Sequence, residues 1–385
     1  MPVTIDELIS KKHIVRLNPS KDMIDNIEKV IEKILCDSNV EMKIIATDYV
    51  FPRTLQTLKG KQVLIWDNTY WEIYNMFLVG LADLNQEQKR TNIIIHKEYS
   101  YSKHPMILIP FAYYLALVVK NNTTAKNFAK YYNLRLQEEK IIRLGMPLND
   151  ICEYIEISKM YLAVHEQTHL KYRNNDKEKN GDLLSIKQLL DIAKSVLENL
   201  NEKFYQEEYL KSKSEFLDMV DTAYVDMRMQ EELLCDTYAL NNCISVYRKC
   251  WAHKYTQKEI VTKCLEAVRI AGFFNSMLVS LKTFWQDCDC DYNVINTFHV
   301  ATSQRSYLSE IIACLQLFQQ KLYDYDIKSK WKFDGFENNY ALEDLIYSYF
   351  FSNESISFWK SEEAENIENK EALSEKFKLL HWRID

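Results

Sequence analysis

Proline and glycine are spread so unevenly along this chain that its two ends cannot be built alike. All six prolines lie at or before Pro147, and from Leu148 to Asp385 there is no proline and only Gly181, Gly272 and Gly335. Proline removes a backbone donor and glycine costs helix entropy, so the last three-fifths of the chain is free to form long, uninterrupted helices. The first part reads as mixed. Residues 20–35 carry apolar side chains at helical spacing (Met23, Ile24, Ile27, Val30, Ile31, Ile34), and residues 69–84 do so again with aromatics. The short runs 42–47, 62–66 and 91–96 are β-rich and bounded by turn or helix signals. The expectation is an α+β fold that is mostly helical, with a small N-terminal sheet and a helical C-terminal part.

Composition excludes several classes of function. A net charge of −7, from 48 basic and 55 acidic residues, provides no cationic field for nucleic acid. The amino terminus lacks the charged-then-apolar arrangement of a signal peptide. The longest uncharged apolar run, 106–119, has 14 residues, short of the ~18–20 that cross a bilayer, and reads as a buried core helix. Nine cysteines, an odd number without framework spacing, fit reduced thiols and a cytoplasmic location. Cys288 and Cys290 form a C-x-C pair without partner ligands at metal spacing and read as a polar loop.

The residues with the clearest chemistry are His165-Glu166-Gln167-Thr168-His169. Pro147, Asn149 and Asp150 make a helix start, and Ile151, Ile155, Ser158, Leu162, His165 and His169 then fall along one stripe of a helix over 150–172. Two histidines four apart project from one face, so both imidazoles can reach a single divalent cation. Glu166 lies about 100° further round, where a carboxylate meets a water and not the metal. Residues 173–182 read as a polar connection, and the apolar spacing from Ile186 to Phe204 marks a packing helix.

A catalytic zinc takes three protein ligands and keeps a fourth position open. A helix over 215–247 carries Glu231, Glu232 and Asp236, of which Glu232 and Asp236 share a face. Glu232 is suited to bind metal while Asp236, one turn on, accepts the outer N–H of a ligand histidine. Glu231 competes for the ligand role but is displaced by about 100° and lies off the Asp236 stripe. The bland alternative is an acidic, solvated helix face.

The pairing of His165-Glu166-x-x-His169 with Glu232-x-x-x-Asp236 resembles the gluzincin metallopeptidases, and within them the group of the CAAX prenyl endopeptidases and the HtpX heat-shock proteases. There the second helix reads Glu-x-x-Ala-Asp-x-x-Ala; here Cys235 replaces the first alanine and Ala239 keeps the second. That group also has a His-Pro with an arginine six residues after the histidine, and His299 and Arg305 keep this spacing without the proline. The resemblance spans about residues 148–310. It implies a zincin-like catalytic core, His299 as an oxyanion stabiliser, and Arg305 paired with an acidic residue near the metal. The membrane-embedded members have several spanning helices that this chain lacks, which makes soluble Lit-like phage-exclusion proteases a nearer comparison.

The resulting organisation is an N-terminal α/β subdomain (1–147), a helical zincin core holding the metal site (148–310) and a helical C-terminal extension (311–385). The function expected is that of a zinc-dependent metalloprotease, with Glu166 as the base and a protein or peptide as substrate. Residues 91–96 are the candidate strand for pairing with that substrate. Two other readings stand beside it: a zinc-stabilised regulatory or binding protein, and a helical interaction scaffold with fortuitous histidines.

Overall fold

The computed structural model describes residues 15–17, 26–37, 39–47, 50–56, 60–91, 109–118, 148–173, 176–198 and 207–286, together with 305, 308, 309, 311, 312, 315 and 316 in a helical segment. The described chain is α+β and mostly helical. It opens with strand β1 (Val15–Leu17), helix α1 (Asn26–Asp37) and strands β2 (Val40–Thr47), β3 (Arg53–Gln56) and β4 (Gln62–Asp67). Helices α2 (Asn68–Thr91), α3 (Ile109–Val118), α4 (Leu148–Arg173), α5 (Asp176–Glu198), α6 (Glu207–Val225), α7 (Met227–Cys250) and α8 (Gln257–Gln286) follow.

The four strands form one sheet in the order β1-β2-β4-β3. β2 and β4 run parallel, in register from Val40 opposite Gln62 to Ile45 opposite Asp67. β1 pairs antiparallel with β2, and β3 antiparallel with β4. A tight turn joins α1 to β2, with Asn39 at φ 58 and its N–H donated to Cys36 O at 3.0 Å. Asparagine tolerates that left-handed conformation better than most residues.

The larger core runs from Ile31 to Leu281 and mixes side chains of α1, the sheet, α2, α3, α4, α7 and α8. Its centre is aromatic: Tyr70, Tyr74, Phe77, Phe111 and Phe274 meet stacked, edge-on or tilted, at centroid distances of 5.0–6.3 Å. Such contacts add to the area these rings bury. A second core lies beyond it, built from Tyr172, α5, α6, Leu233 and Leu234 of α7, and Leu308, Ile311, Ile312 and Leu315. Helix α7 serves both, since Ala239, Leu240, Cys243, Ile244 and Tyr247 belong to the first core. Gln257–Lys282 of α8 is long and apolar enough to cross a membrane, but 67% of that window is buried inside the molecule, where it packs as a core helix. The described cysteines are all unpaired.

The structure corrects two expectations and adds two strands. The helix anticipated over 215–247 is two helices, because Asp226 breaks it: its backbone is extended (φ −87, ψ 105) and its carboxylate accepts from Arg228 N and Met229 N. The stretch 173–182 is not a connection throughout, since α5 begins at Asp176 and carries Gly181 inside it. Lysine and glutamate are good helix formers, and their number there outweighs one glycine. Strands β1 and β3 escaped prediction, being only 3 and 4 residues long. Of the expected strand 91–96, Thr91 is the last residue of α2 and the rest lies outside the described residues.

Candidate metal centre

Helices α4 and α7 pack along much of their lengths, and the site lies where they meet. His165 and His169 face α7 from one stripe of α4, and Glu232 and Asp236 return from one stripe of α7. His165 Nε2 lies 3.1 Å from His169 Nε2. Glu232 closes the triangle, with Oε2 3.5 Å from His165 Nε2 and Oε1 3.4 Å from His169 Nε2. Ligands about 2.0–2.1 Å from a tetrahedral metal ion sit about 3.3 Å from one another, close to the separation of the two imidazole nitrogens and to the nearest approach of a Glu232 oxygen to each. His165, His169 and Glu232 thus form a group able to hold a metal ion.

The residues behind the donors fix their direction. Asp236 Oδ1 lies 2.8 Å from His165 Nδ1, oblique to the ring N–H, so this is a close ion-pair contact and not a linear hydrogen bond. The same carboxylate accepts from Tyr161 OH at 2.6 Å, Ser309 Oγ at 2.7 Å, and Arg305 Nε and Nη2 at 3.2 Å each. Arg305 Nη2 also reaches Glu232 Oε2 at 2.7 Å, so one guanidinium bridges the two carboxylates of α7.

His169 has a carboxylate of its own. Glu231 Oε1 lies 3.5 Å from His169 Nδ1, on the far side of the ring from the triangle, and Lys179 of α5 binds Glu231 Oε2 at 2.5 Å. Cys235 Sγ is 3.5 Å from the same Nδ1. Sequence reasoning weighed Glu231 only as a rival ligand. The signal it left unused was the run Glu231-Glu232-x-x-x-Asp236, which places one carboxylate in the triangle and one behind each histidine.

Burial works against charge throughout this cluster, and the partners outweigh it. His165 is pushed up to about 10 by the Asp236 and Glu232 carboxylates despite burial. Asp236, also buried, is held far below the usual carboxylate range by Arg305 and His165. Glu232 is held low by both histidines and Arg305. Burial pushes the Cys235 thiol well up, so it remains protonated. Surroundings this anionic favour a cation between the imidazoles, a proton or a metal.

A cavity of about 250 Å³ adjoins the triangle. His165, Glu166, His169, Glu232 and Arg305 line one part of it, and Phe51, Pro52, Leu162 and residues of α8 line the rest. Phe51 and Pro52 follow Val50, a buried residue at φ 61, where β-branched side chains are rarely found. Glu166 is half-buried in the cavity wall. His299 lies outside the described residues. Comparison of the chain with protein-family models, curated proteins and solved structures returns no match.

Proposed function

We propose that this chain is a zinc-dependent peptidase of gluzincin type, with a zincin-like core, His165, His169 and Glu232 as metal ligands and Glu166 as the base. The observation that carries this reading is the donor cluster, two imidazole nitrogens 3.1 Å apart with one Glu232 oxygen 3.5 Å from the first and the other 3.4 Å from the second, beside an adjoining cavity. Structural zinc sites fill the fourth position with a protein ligand, whereas catalytic ones leave it free. Among the described residues no fourth histidine, cysteine or carboxylate joins the group.

A zinc ion held there supplies Lewis acidity and brings the pKa of a water toward neutrality. Glu166 takes the proton of the attacking water and passes it to the departing amine. Asp236 and Glu231 stand behind His165 and His169 on the Nδ1 side of each ring, leaving Nε2 toward the ion, and carboxylates placed there raise ligand basicity. Arg305 offsets the repulsion between Asp236 and Glu232. His299 is retained as the candidate for stabilising the oxyanion. The substrate is a protein or peptide.

Purified protein should contain about one zinc per chain. Glu166→Gln should keep that zinc and lose turnover, read as protein termini that appear in cells expressing the parent and not the variant. His169→Ala should lose both metal and turnover. A Glu166→Gln protein that generates the same termini as its parent rules out the assigned base.

A further inference from the structure

Helix α8 contributes Val268, Gly272, Asn275 and Val279 to the cavity wall, positions spaced three or four apart and therefore on one helix face. Asn275 is the only polar side chain among these four. Its Oδ1 accepts a hydrogen bond of 2.6 Å from Tyr70 OH. Tyr70 is fully buried in the aromatic core, flanked by Phe51, Trp71, Tyr74 and Phe274, so the hydroxyl cannot follow the amide if the amide turns.

An amide has one acceptor atom and two N–H donors, and holding the oxygen fixes where the nitrogen points. Asn275 Nδ2 has no hydrogen-bond partner among the described residues, while the side chain lines the cavity. The α8 face offers no charge, and the guanidinium of Arg305 is engaged by Glu232 and Asp236. An uncharged acceptor is the group that suits such a donor, and a peptide presents one at every residue as its main-chain carbonyl.

We propose that Asn275, oriented by Tyr70, is a substrate-binding residue that donates its Nδ2–H to a main-chain carbonyl of the bound peptide, with uncharged substrate side chains seated against Val268 and Val279. This assignment rests on the peptidase reading for the identity of the ligand. Tyr70 acts through Asn275 and is a positioning residue.

The test uses zinc-loaded Glu166→Gln protein, which cannot turn over, and a random heptapeptide pool as the probe. The best-retained peptide is then measured against Glu166→Gln combined with Asn275→Asp, Asn275→Ala or Tyr70→Phe. Asn275→Asp is the informative variant, because it keeps an oxygen for Tyr70 and has the same shape but loses the donor. The expected result is a loss of peptide affinity of about tenfold for Asn275→Asp and Asn275→Ala, and a smaller loss for Tyr70→Phe, with zinc content and melting temperature of Asn275→Asp unchanged. Retained peptides should be poor in charged residues.

Equal affinity in Asn275→Asp overturns the proposal, as does retention of mainly charged peptides. Failure of Glu166→Gln to retain any peptide, while the parent protein generates new termini in cells, overturns this inference and leaves the peptidase reading standing. Retention that depends on Asn275, beside a parent that cuts nothing, upholds the inference as a peptide-binding site and removes the hydrolytic reading.

Discussion

Four side chains converge on the carboxylate of Asp236: Tyr161, Arg305 and Ser309 by hydrogen bond, and His165 at 2.8 Å. Removing one partner of a buried charged network costs about 3–5 kcal/mol, because the remaining charge keeps its desolvation penalty. Asp236→Ala should therefore destabilise the protein by that order in urea titration and weaken zinc binding about 10–100-fold in competition with a chelator. Glu231→Gln tests the other histidine. Its carboxylate stands further from the ring and is partly solvated, so zinc affinity should fall about tenfold with little change in the denaturation midpoint. Away from the site, Glu153 accepts from Lys254 and Tyr255 and pairs with Lys263 at 2.9 Å. Burial raises its pKa, but these partners prevail and hold it below its ordinary value of 4.5. A depressed carboxylate adds stability above its unfolded pKa and loses it as pH falls through the folded one. The stability difference between the parent and Glu153→Gln should thus be full near neutrality and shrink as pH drops below about 4.5, measured by urea midpoints across that range.

The break between α6 and α7 shows what helix signals in a sequence reveal and conceal. Asp226 caps α7, and buried Gln230 reaches back to donate to Ala223 O at 2.9 Å and Tyr224 O at 2.6 Å, satisfying carbonyls at the end of α6. No proline or glycine marks the spot, and the apolar spacing runs on through it, so the stretch reads as continuous. Asp226 is a residue type that caps helices, but Met229 and not a glutamate or glutamine stands three residues on, so no capping box marks the start. Asp226→Ala should cost about 1 kcal/mol in thermal or urea unfolding. Gly181 teaches the opposite lesson. It reads as a turn residue, yet it lies inside α5, and a Cβ there would meet nothing within 4 Å. Gly181→Ala should stabilise the protein by about 0.5–1 kcal/mol, read as a higher melting temperature. The candidate metal donors were legible because helix geometry alone fixes which residues share a face: His165 with His169, and Glu232 with Asp236. Lys179 and Ser309 were not, since each depends on how separate helices dock, and β1 and β3 were too short to show a period. Asn275 left no trace because the role proposed for it depends on Tyr70, 205 positions away.

At the scale of the whole molecule, one buried ion pair ties the sheet half of the chain to the helix that carries the histidines. Lys159, on α4, binds Glu28 of α1 at 2.9 Å, and Trp66 of β4 donates its Nε1–H to the same Glu28 oxygen at 2.8 Å. The Lys159 ammonium also stands 5.7 Å from the Trp71 ring centroid of α2. With side chains only 8% and 3% exposed, Lys159 and Glu28 form an ion pair that is nearly out of water. Lys159→Met should destabilise by about 3–5 kcal/mol, because it removes one member of a buried ion pair. Glu28→Leu combined with Lys159→Met should recover much of that loss, because the second change removes the uncompensated charge. Recovery should stop short of the parent's stability, since Trp66 Nε1 then loses its acceptor at a cost of about 1–3 kcal/mol. Urea unfolding of the parent, the two single variants and the double variant measures the coupling directly. Because the larger core mixes α1, the sheet and α4, each variant should unfold in one transition, with zinc release and loss of tertiary signal at the same midpoint. An amino-terminal transition that precedes zinc release would instead mean that Glu28 and Lys159 join two independently stable units.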